Sequence, residues 1–112
     1  MNEVIILPSF EKDAKKLLKK YRSLKVELTN FISTTENEGV QGTSLGSSLY
    51  KARLAVRSKG RGKSGGLRVI SYQNIIVAQN DNKVYLVAIY DKSELSTIET
   101  KHINQILKNY GL

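Results

Sequence analysis

Positively charged side chains are concentrated in one stretch of the chain, between Tyr50 and Arg68. No Asp or Glu lies between Gly39 and Asn80 to neutralise them. The basic residues of this stretch are Lys51, Arg53, Arg57, Lys59, Arg61, Lys63 and Arg68. Lysine and arginine bind phosphate groups through charge-assisted hydrogen bonds, so the stretch indicates a polyanionic ligand.

These residue types suit the cleavage of RNA, because the RNA 2′-hydroxyl is a nucleophile already placed beside each phosphate. The reaction needs a proton acceptor for that hydroxyl, positive charge for the phosphorane oxygens and a proton donor for the leaving 5′-oxygen. Neighbouring positive charges disfavour the ammonium form of a lysine, so Lys51 is the first candidate acceptor. The planar guanidinium groups of Arg53 and Arg68 suit stabilisation of the phosphate.

The proton donor is expected at the end of the last predicted strand, where Tyr90 and Lys92 occur. A phenol at this place could stack on a base or pass a proton. Tyrosine is amphipathic, so Tyr90 could equally be an aromatic residue at the edge of the core. Both interpretations of Tyr90 remain open from the sequence.

Other chemistries fit the sequence less well. The letters GRGKS suggest a phosphate-binding loop, but the pattern GxxxxGK[ST] needs glycine where Arg57 stands, and a strand follows instead of a helix. His102 is the only histidine and the chain has no cysteine, so neither a thiolate zinc site nor a thiol nucleophile can form. The carboxylates are scattered along the chain. We therefore expect no metal and no cofactor.

Composition limits the class of protein. With 112 residues, of which 40% are hydrophobic, the chain can form one domain with a single core. The formal net charge of +8 suggests nucleic acid, an acidic protein or an anionic membrane as partner. Membrane is the weakest of these, because no apolar run approaches the roughly 20 residues of a spanning helix and the first residues do not form a secretory signal. We infer a cytoplasmic protein.

The basic stretch predicts a strand, a loop and a second strand. Lys51, Arg53 and Arg57 alternate with apolar residues, so they would share one face of the first strand. The glycine-rich residues 60–66 predict a loop that lets the backbone approach a ligand. The second strand would run from Leu67 to Tyr72 and would bring Arg68 beside the basic face.

The whole chain predicts an α+β fold with a small antiparallel sheet in the order β-α-α-β-β-β-α. Val4 to Leu7 would be an edge strand. A first helix would run from Phe10 to about Tyr21 with Ser9 as its cap, and a second from Ser23 to about Thr35. Residues 36–48 predict a surface loop, residues 75–89 a β-hairpin, and Ser96 to Glu99 a capping box for the last helix. The helices would pack on one face and leave the basic face open.

The segment YKARLAVRSKGRGKSGGLRVISY, followed by VYLVAIYDKSELS and a closing helix, resembles the RelE/ParE toxin superfamily. It is most similar to HigB-like toxins, which carry a glycine-rich basic loop before an R-[VI]-I-x-Y strand. The resemblance implies a single toxin domain over residues 1–112. It also implies a type II toxin–antitoxin module in which the toxin is an mRNA endoribonuclease acting on the translating ribosome, and the antitoxin neutralises it by direct binding.

The resemblance also implies roles for individual residues. The Y-K-x-[KR] strand of RelE-like toxins supplies a basic catalytic pair, which falls on Lys51 and Arg53, and the arginine that opens the next strand falls on Arg68. RelE-like toxins often carry arginine and then tyrosine after the last strand, whereas this chain has Tyr90 and Lys92 there. Either of these would take the place of the proton donor.

The leading hypothesis is therefore a metal-independent, ribosome-dependent mRNA endoribonuclease that uses the RNA 2′-hydroxyl and also contacts 16S rRNA. Arg57, Lys59, Arg61 and Lys63 would bind RNA. An acidic antitoxin segment would mask the basic face or displace the last helix. The alternatives are a ParE-type inhibitor of DNA gyrase and a non-catalytic module that binds RNA or the ribosome.

Overall fold

The computed structural model describes residues 2–59, 66–76, 81–92 and 99–112. Its elements are β1 (Asn2–Ile6), α1 (Pro8–Lys20), α2 (Leu24–Glu38), β2 (Thr43–Gly46), β3 (Leu49–Leu54), a 3₁₀ turn (Arg57–Lys59), β4 (Leu67–Ile76), β5 (Asp81–Asp91) and α3 (Thr100–Asn109). The predicted α+β class is confirmed. Within these ranges no helix is long and apolar enough to cross a membrane.

The five strands form one sheet in the order β1-β5-β4-β3-β2. Strands β2 to β5 pair antiparallel with their neighbours, whereas β1 pairs parallel with β5. The predicted edge position of β1 is therefore confirmed. The prediction of a loop over residues 36–48 is wrong in part, because α2 continues to Glu38 and β2 forms the other edge. All four residues of β2 are exposed, so the strand forms by backbone pairing and has no hydrophobic period to reveal it.

Helices α1 and α2 pack together on one face of the sheet, here called the helix-hairpin face. Their buried residues contact alternate residues of the strands, among them Ala52, Leu54 and Val69. Phe10, Ala14 and Leu17 of α1, with Tyr21 directly after it, are buried and form the face turned to the sheet. Leu18, the next residue after the buried Leu17, is 39% exposed.

Helix α3 packs on the opposite face, which corrects the expectation that all helices share one face. Ile103 and Leu107 of α3 belong to a second core cluster with Ile70, Val87 and Tyr90. A β-bulge helps to build this cluster, because Ile70 pairs with Ala88 while Ser71 pairs with Leu86, which leaves Val87 as the extra residue. The continuous apolar run Val84–Ile89 is typical of a strand that is covered on both faces.

The first turns of α1 cover the part of β5 that lies beyond β1. The Leu7 backbone N–H donates to the Leu86 carbonyl at 3.2 Å, and the Ser9 hydroxyl donates to the Val87 carbonyl at 2.7 Å. Asp13 accepts a hydrogen bond from the Ile89 backbone N–H, and burial raises the pKa of its carboxyl group. The prediction that Ser9 caps α1 is therefore wrong, because Leu7 occupies the cap and the Ser9 side chain bonds to β5.

The start of α3 also differs from the prediction. Glu99 is the N-cap of the helix and Thr100 its first residue, so Glu99 is not the third helical residue that a capping box requires. Ser96 lies outside the described residues.

Candidate functional site

Three predicted site residues form a row across the three central strands of the sheet, near one end of each strand. Arg53 on β3 is the direct partner of Arg68 on β4, and Arg68 is the direct partner of Tyr90 on β5. Directly paired residues lie on the same face, so the three side chains project from the face opposite α1 and α2. Neighbouring strands lie about 4.8 Å apart, which puts the backbones of Arg53 and Tyr90 about 10 Å from each other.

Lys51 projects from the same face as this row. It lies two residues before Arg53 on β3, which is one full period of strand alternation, and its partner on β4 is Ile70. Arg53 is exposed and Lys51 is half-buried. The register therefore brings Lys51, Arg53, Arg68 and Tyr90 together on one face of the sheet, and this set is here called the cationic row. Their catalytic roles stay predictions.

Arg68 is the most enclosed cation of the row. Its side chain is 3% exposed, and its Nη1 donates to the Leu67 carbonyl at 3.2 Å. Arginine keeps its charge in proteins, so the sheet holds a fixed positive charge between Arg53 and Tyr90. A partly desolvated guanidinium binds an oxyanion more strongly than one that is fully in water.

Tyr90 is covered by α3. Only 8% of the residue is exposed, and it packs in the same cluster as Ile103 and Leu107. Within the described part of the chain its buried hydroxyl has no hydrogen-bond partner. A buried hydroxyl without a partner is costly, and this one lies next to Arg68 in the row. The structure therefore confirms that the Tyr90 ring belongs to the core, and the role of its hydroxyl as a proton donor stays a prediction.

Lys92 lies in the turn after β5 and is exposed. It is two residues beyond Tyr90, so both candidate donors lie at the same end of the same strand.

Two of the four predicted RNA-binding residues fall within the described ranges. Arg57 is exposed in the 3₁₀ turn, where its backbone N–H donates to Glu27 at 2.7 Å. Lys59 is held differently, because its Nζ lies 3.0 Å from the carboxylate of Asp91 and the Lys59 side chain is only 9% exposed. This ion pair favours a structural role for Lys59 over contact with RNA. Arg61 and Lys63 lie outside the described residues.

A buried polar cluster on the helix-hairpin face was not predicted from the sequence. The Tyr21 hydroxyl donates to Asp91 Oδ2 at 2.5 Å, and Asp91 is 3% exposed. Burial raises the pKa of Tyr21, and the hydrogen bond to Asp91 raises it further, so the phenol stays protonated. The only hint in the sequence is Asp91 itself, a carboxylate at the end of a strand that is apolar from Val84 to Ile89.

Within the described ranges, no group of three or more His, Cys, Asp or Glu side chains could together hold a metal ion.

The chain was compared with protein-family models and with solved structures. A family model described as RelE toxin of the RelE/RelB toxin–antitoxin system matches residues 9–110. Among solved structures, the chain is similar to a double mutant of E. coli toxin RelE in the free state, with a TM-score of 0.53 and 12% sequence identity. That alignment covers 98% of this chain and 97% of the other. At this identity the structural match shows a shared fold, and it confirms the predicted RelE-like arrangement.

Proposed function

Because the chain belongs to the RelE toxin family of toxin–antitoxin systems, we propose that it is a metal-independent mRNA endoribonuclease that acts on the translating ribosome. The observation that carries this proposal is the cationic row, in which Arg53, Arg68 and Tyr90 are direct neighbours across three strands. We also propose that residues 1–112 form a single toxin domain. The HigB-like subtype stays a prediction.

In the proposed reaction the RNA cuts itself with help from the row. Lys51, in its neutral amine form, takes the proton of the 2′-hydroxyl while the 2′-oxygen bonds to phosphorus. Arg53 and Arg68 stabilise the charge on the phosphorane oxygens. The bond from phosphorus to the 5′-oxygen then breaks, and that oxygen takes a proton from Tyr90 or Lys92. The products are a 2′,3′-cyclic phosphate and a 5′-hydroxyl end.

Family membership implies a cognate antitoxin as partner. We propose that an acidic segment of the antitoxin binds at the cationic row, since the net charge of +8 favours an acidic ligand. Such a segment would cover the exposed Arg53 or displace α3, which packs on Tyr90. mRNA on the ribosome and 16S rRNA would be the nucleic-acid partners, which places the activity in the cytoplasm.

The proposal is tested by induced expression, followed by primer extension on cellular mRNAs. The wild-type chain is expected to arrest growth and to produce new 5′ ends within translated regions. The Lys51→Ala/Arg53→Ala pair is expected to do neither. The matched control is Lys12→Ala/Lys25→Ala, which removes two exposed lysines from α1 and α2 and should stay toxic.

Two outcomes would contradict the proposal. Full toxicity of the Lys51→Ala/Arg53→Ala pair would remove the row from the mechanism. Growth arrest without new mRNA ends, together with trapped cleavage complexes when gyrase and supercoiled plasmid are incubated with the protein, would favour a ParE-type inhibitor.

A further inference from the structure

The polar cluster of Tyr21, Asp91 and Lys59 connects three separate parts of the chain. Tyr21 is the C-cap residue of α1, Lys59 is the last residue of the 3₁₀ turn after β3, and Asp91 is the last residue of β5. One carboxylate oxygen of Asp91 accepts a hydrogen bond from the Tyr21 hydroxyl at 2.5 Å, and the other lies 3.0 Å from the Lys59 ammonium nitrogen. The Lys59 Nζ also lies 5.8 Å from the centre of the Tyr21 ring, which is a cation–π distance.

This cluster lies directly behind the cationic row. Asp91 pairs with Leu67, and the next pair along the two strands is Arg68 with Tyr90. Successive side chains of a strand project to opposite faces, so Asp91 projects toward α1 while Tyr90 projects into the row. Any shift of the Asp91 backbone would therefore move the backbone of Tyr90.

A second set of bonds holds the 3₁₀ turn on the joint between α1 and α2. The Ser58 and Ser23 backbone N–H groups each donate to the other residue's hydroxyl oxygen, at 2.9 and 3.1 Å. Glu27 accepts the Arg57 N–H at 2.7 Å and the Ser23 hydroxyl at 2.8 Å. With the ion pair of Lys59, all three residues of the turn that follows β3 are fixed.

Stability alone is a weak explanation for the ion pair. The cost of removing an ammonium and a carboxylate from water offsets much of their attraction, and apolar replacements are often as stable. Such a pair restricts the relative position of its two residues, because the ammonium and the carboxylate must meet at one distance and orientation. Here it fixes the end of β5 relative to the turn after β3.

We propose that Tyr21, Asp91 and Lys59 are positioning residues, which act from the helix-hairpin face to keep Arg53, Arg68 and Tyr90 at the spacing that RNA cleavage requires. This inference rests on the proposed function, because it assigns the cluster a role in that site. None of the three would touch the RNA. Their effect is on the rate of cleavage, because a reacting group displaced by about 1 Å can cost about a hundredfold.

The test compares Tyr21→Phe with Thr35→Val. Tyr21→Phe keeps the ring and removes only the hydroxyl that bonds to Asp91. Thr35→Val is the matched control, because it also removes a buried hydroxyl, one that donates to the Phe31 carbonyl within α2 at 2.9 Å. Both variants are assayed as folded proteins, for single-turnover cleavage of mRNA on programmed ribosomes and separately for ribosome affinity.

Tyr21→Phe is expected to lower the cleavage rate about tenfold or more with unchanged ribosome affinity. Thr35→Val is expected to leave both unchanged. In NMR spectra, Tyr21→Phe should also shift the backbone amide signals of Arg53, Arg68 and Tyr90, which Thr35→Val should not.

The outcomes separate this inference from the proposed function. If the wild-type protein cleaves mRNA and Tyr21→Phe cleaves at the same rate, the inference is overturned and the proposed function stands. If the wild-type protein does not cleave, the proposed function fails and the positioning role in cleavage fails with it, and the amide signals then test only whether the cluster is coupled to the row. Unchanged signals for the row would overturn coupling across the sheet, and shifted signals would support it.

Discussion

Arg53 and Arg68 are direct partners on neighbouring strands, so two guanidinium groups project side by side from one face of the sheet. Arg53 is exposed and Arg68 is almost fully buried. Like charges at directly opposed positions destabilise a sheet. A local arrangement that costs stability is expected where a protein binds a ligand of the opposite charge, and an RNA phosphate is such a ligand.

The first prediction follows from this cost. Arg68→Met replaces the buried guanidinium by an apolar chain of similar length. The free energy of unfolding should stay unchanged or rise by about 1 to 2 kcal/mol, because a buried charge with a like charge at the paired position is removed. Growth arrest on induction should be lost. Urea unfolding and growth curves measure the two effects.

The control for Arg68→Met is Arg22→Met, which removes an exposed arginine on the joint between α1 and α2. It should keep both stability and toxicity. If the free energy of unfolding of Arg68→Met falls by more than about 2 kcal/mol, Arg68 supports the fold. A loss of toxicity in this variant would then not be evidence for a role of Arg68 in cleavage.

The second prediction concerns the pH dependence of stability through Asp13. Burial raises the pKa of this carboxyl group above its ordinary value of 3.8, so the folded chain binds the proton more tightly than the unfolded chain. The resulting stabilisation is complete below about pH 3.8 and is lost as the pH rises through the higher pKa of the folded state. Asp13→Asn removes this titration and keeps an oxygen that can accept the Ile89 N–H.

Urea unfolding of the wild-type protein and Asp13→Asn should be compared between pH 3.5 and 7. The wild type should lose stability relative to the variant as the pH rises from about 3.8, and the difference should level off above the folded pKa. Glu38→Gln is the control, because Glu38 is exposed at the end of α2. A difference between wild type and Asp13→Asn that changes in the opposite direction would contradict the assigned cause.

The face on which the site lies could be predicted from sequence, because alternation in a strand is a local property. Lys51 and Arg53 alternate with buried Ala52 and Leu54, and this pattern alone places both cations on the face away from α1. Arg68 was expected beside them because it opens the strand that follows the glycine-rich loop, and antiparallel pairing of the two strands needs no crossover helix. Alternation along β3 and antiparallel pairing with β4 together produce the cationic row.

Contacts between distant parts of the chain could not be predicted. Tyr21 and Asp91 are 70 positions apart, and nothing in the local pattern of either residue specifies the other. The sequence around Lys59 is as basic as that around its neighbours and predicts contact with RNA for all of them, whereas the ion pair of Lys59 with Asp91 depends on the tertiary fold. The face of α3 also depends on tertiary packing, because its apolar stripe at Ile103 and Leu107 would fit either side of a strand that is apolar on both.

The third prediction compares Gly46, the last residue of β2, with Gly42, which directly precedes β2. Gly42 and Gly46 both have positive φ values, of 99° and 87°. A Cβ on Gly42 would also collide with the Lys51 carbonyl oxygen, whereas a Cβ on Gly46 would meet open space. Gly42→Ala should therefore destabilise the protein by more than the roughly 1 kcal/mol expected for Gly46→Ala, which carries only the backbone strain.

Thermal unfolding measures the difference between the glycine variants. Because the collision involves Lys51, Gly42→Ala should also reduce cleavage at a temperature where the protein is folded, and Gly46→Ala should not. Equal destabilisation by the two variants would mean that β2 moves away from β3 without cost.

The fourth prediction identifies the proton donor by comparing Tyr90→Phe with Lys92→Ala. Tyr90→Phe removes a buried hydroxyl that has no partner among the described residues, so the free energy of unfolding should stay unchanged or rise by about 1 kcal/mol. Lys92 is exposed, and Lys92→Ala should leave stability unchanged. The variant that lacks the donor should lose about a hundredfold or more in single-turnover cleavage on the ribosome.

The nature of the leaving group separates a donor from a residue that only binds RNA. In a substrate with a 5′-thio leaving group, the sulfur departs without being protonated. Such a substrate should therefore restore the cleavage rate of the variant that lacks the donor. It should not restore the rate of a variant that has lost a phosphate contact. We expect this rescue in Tyr90→Phe, because Tyr90 lies in the row beside Arg68 and Lys92 lies in the turn beyond it. Rescue of Lys92→Ala instead would assign the proton to Lys92 and leave Tyr90 with its place in the core under α3.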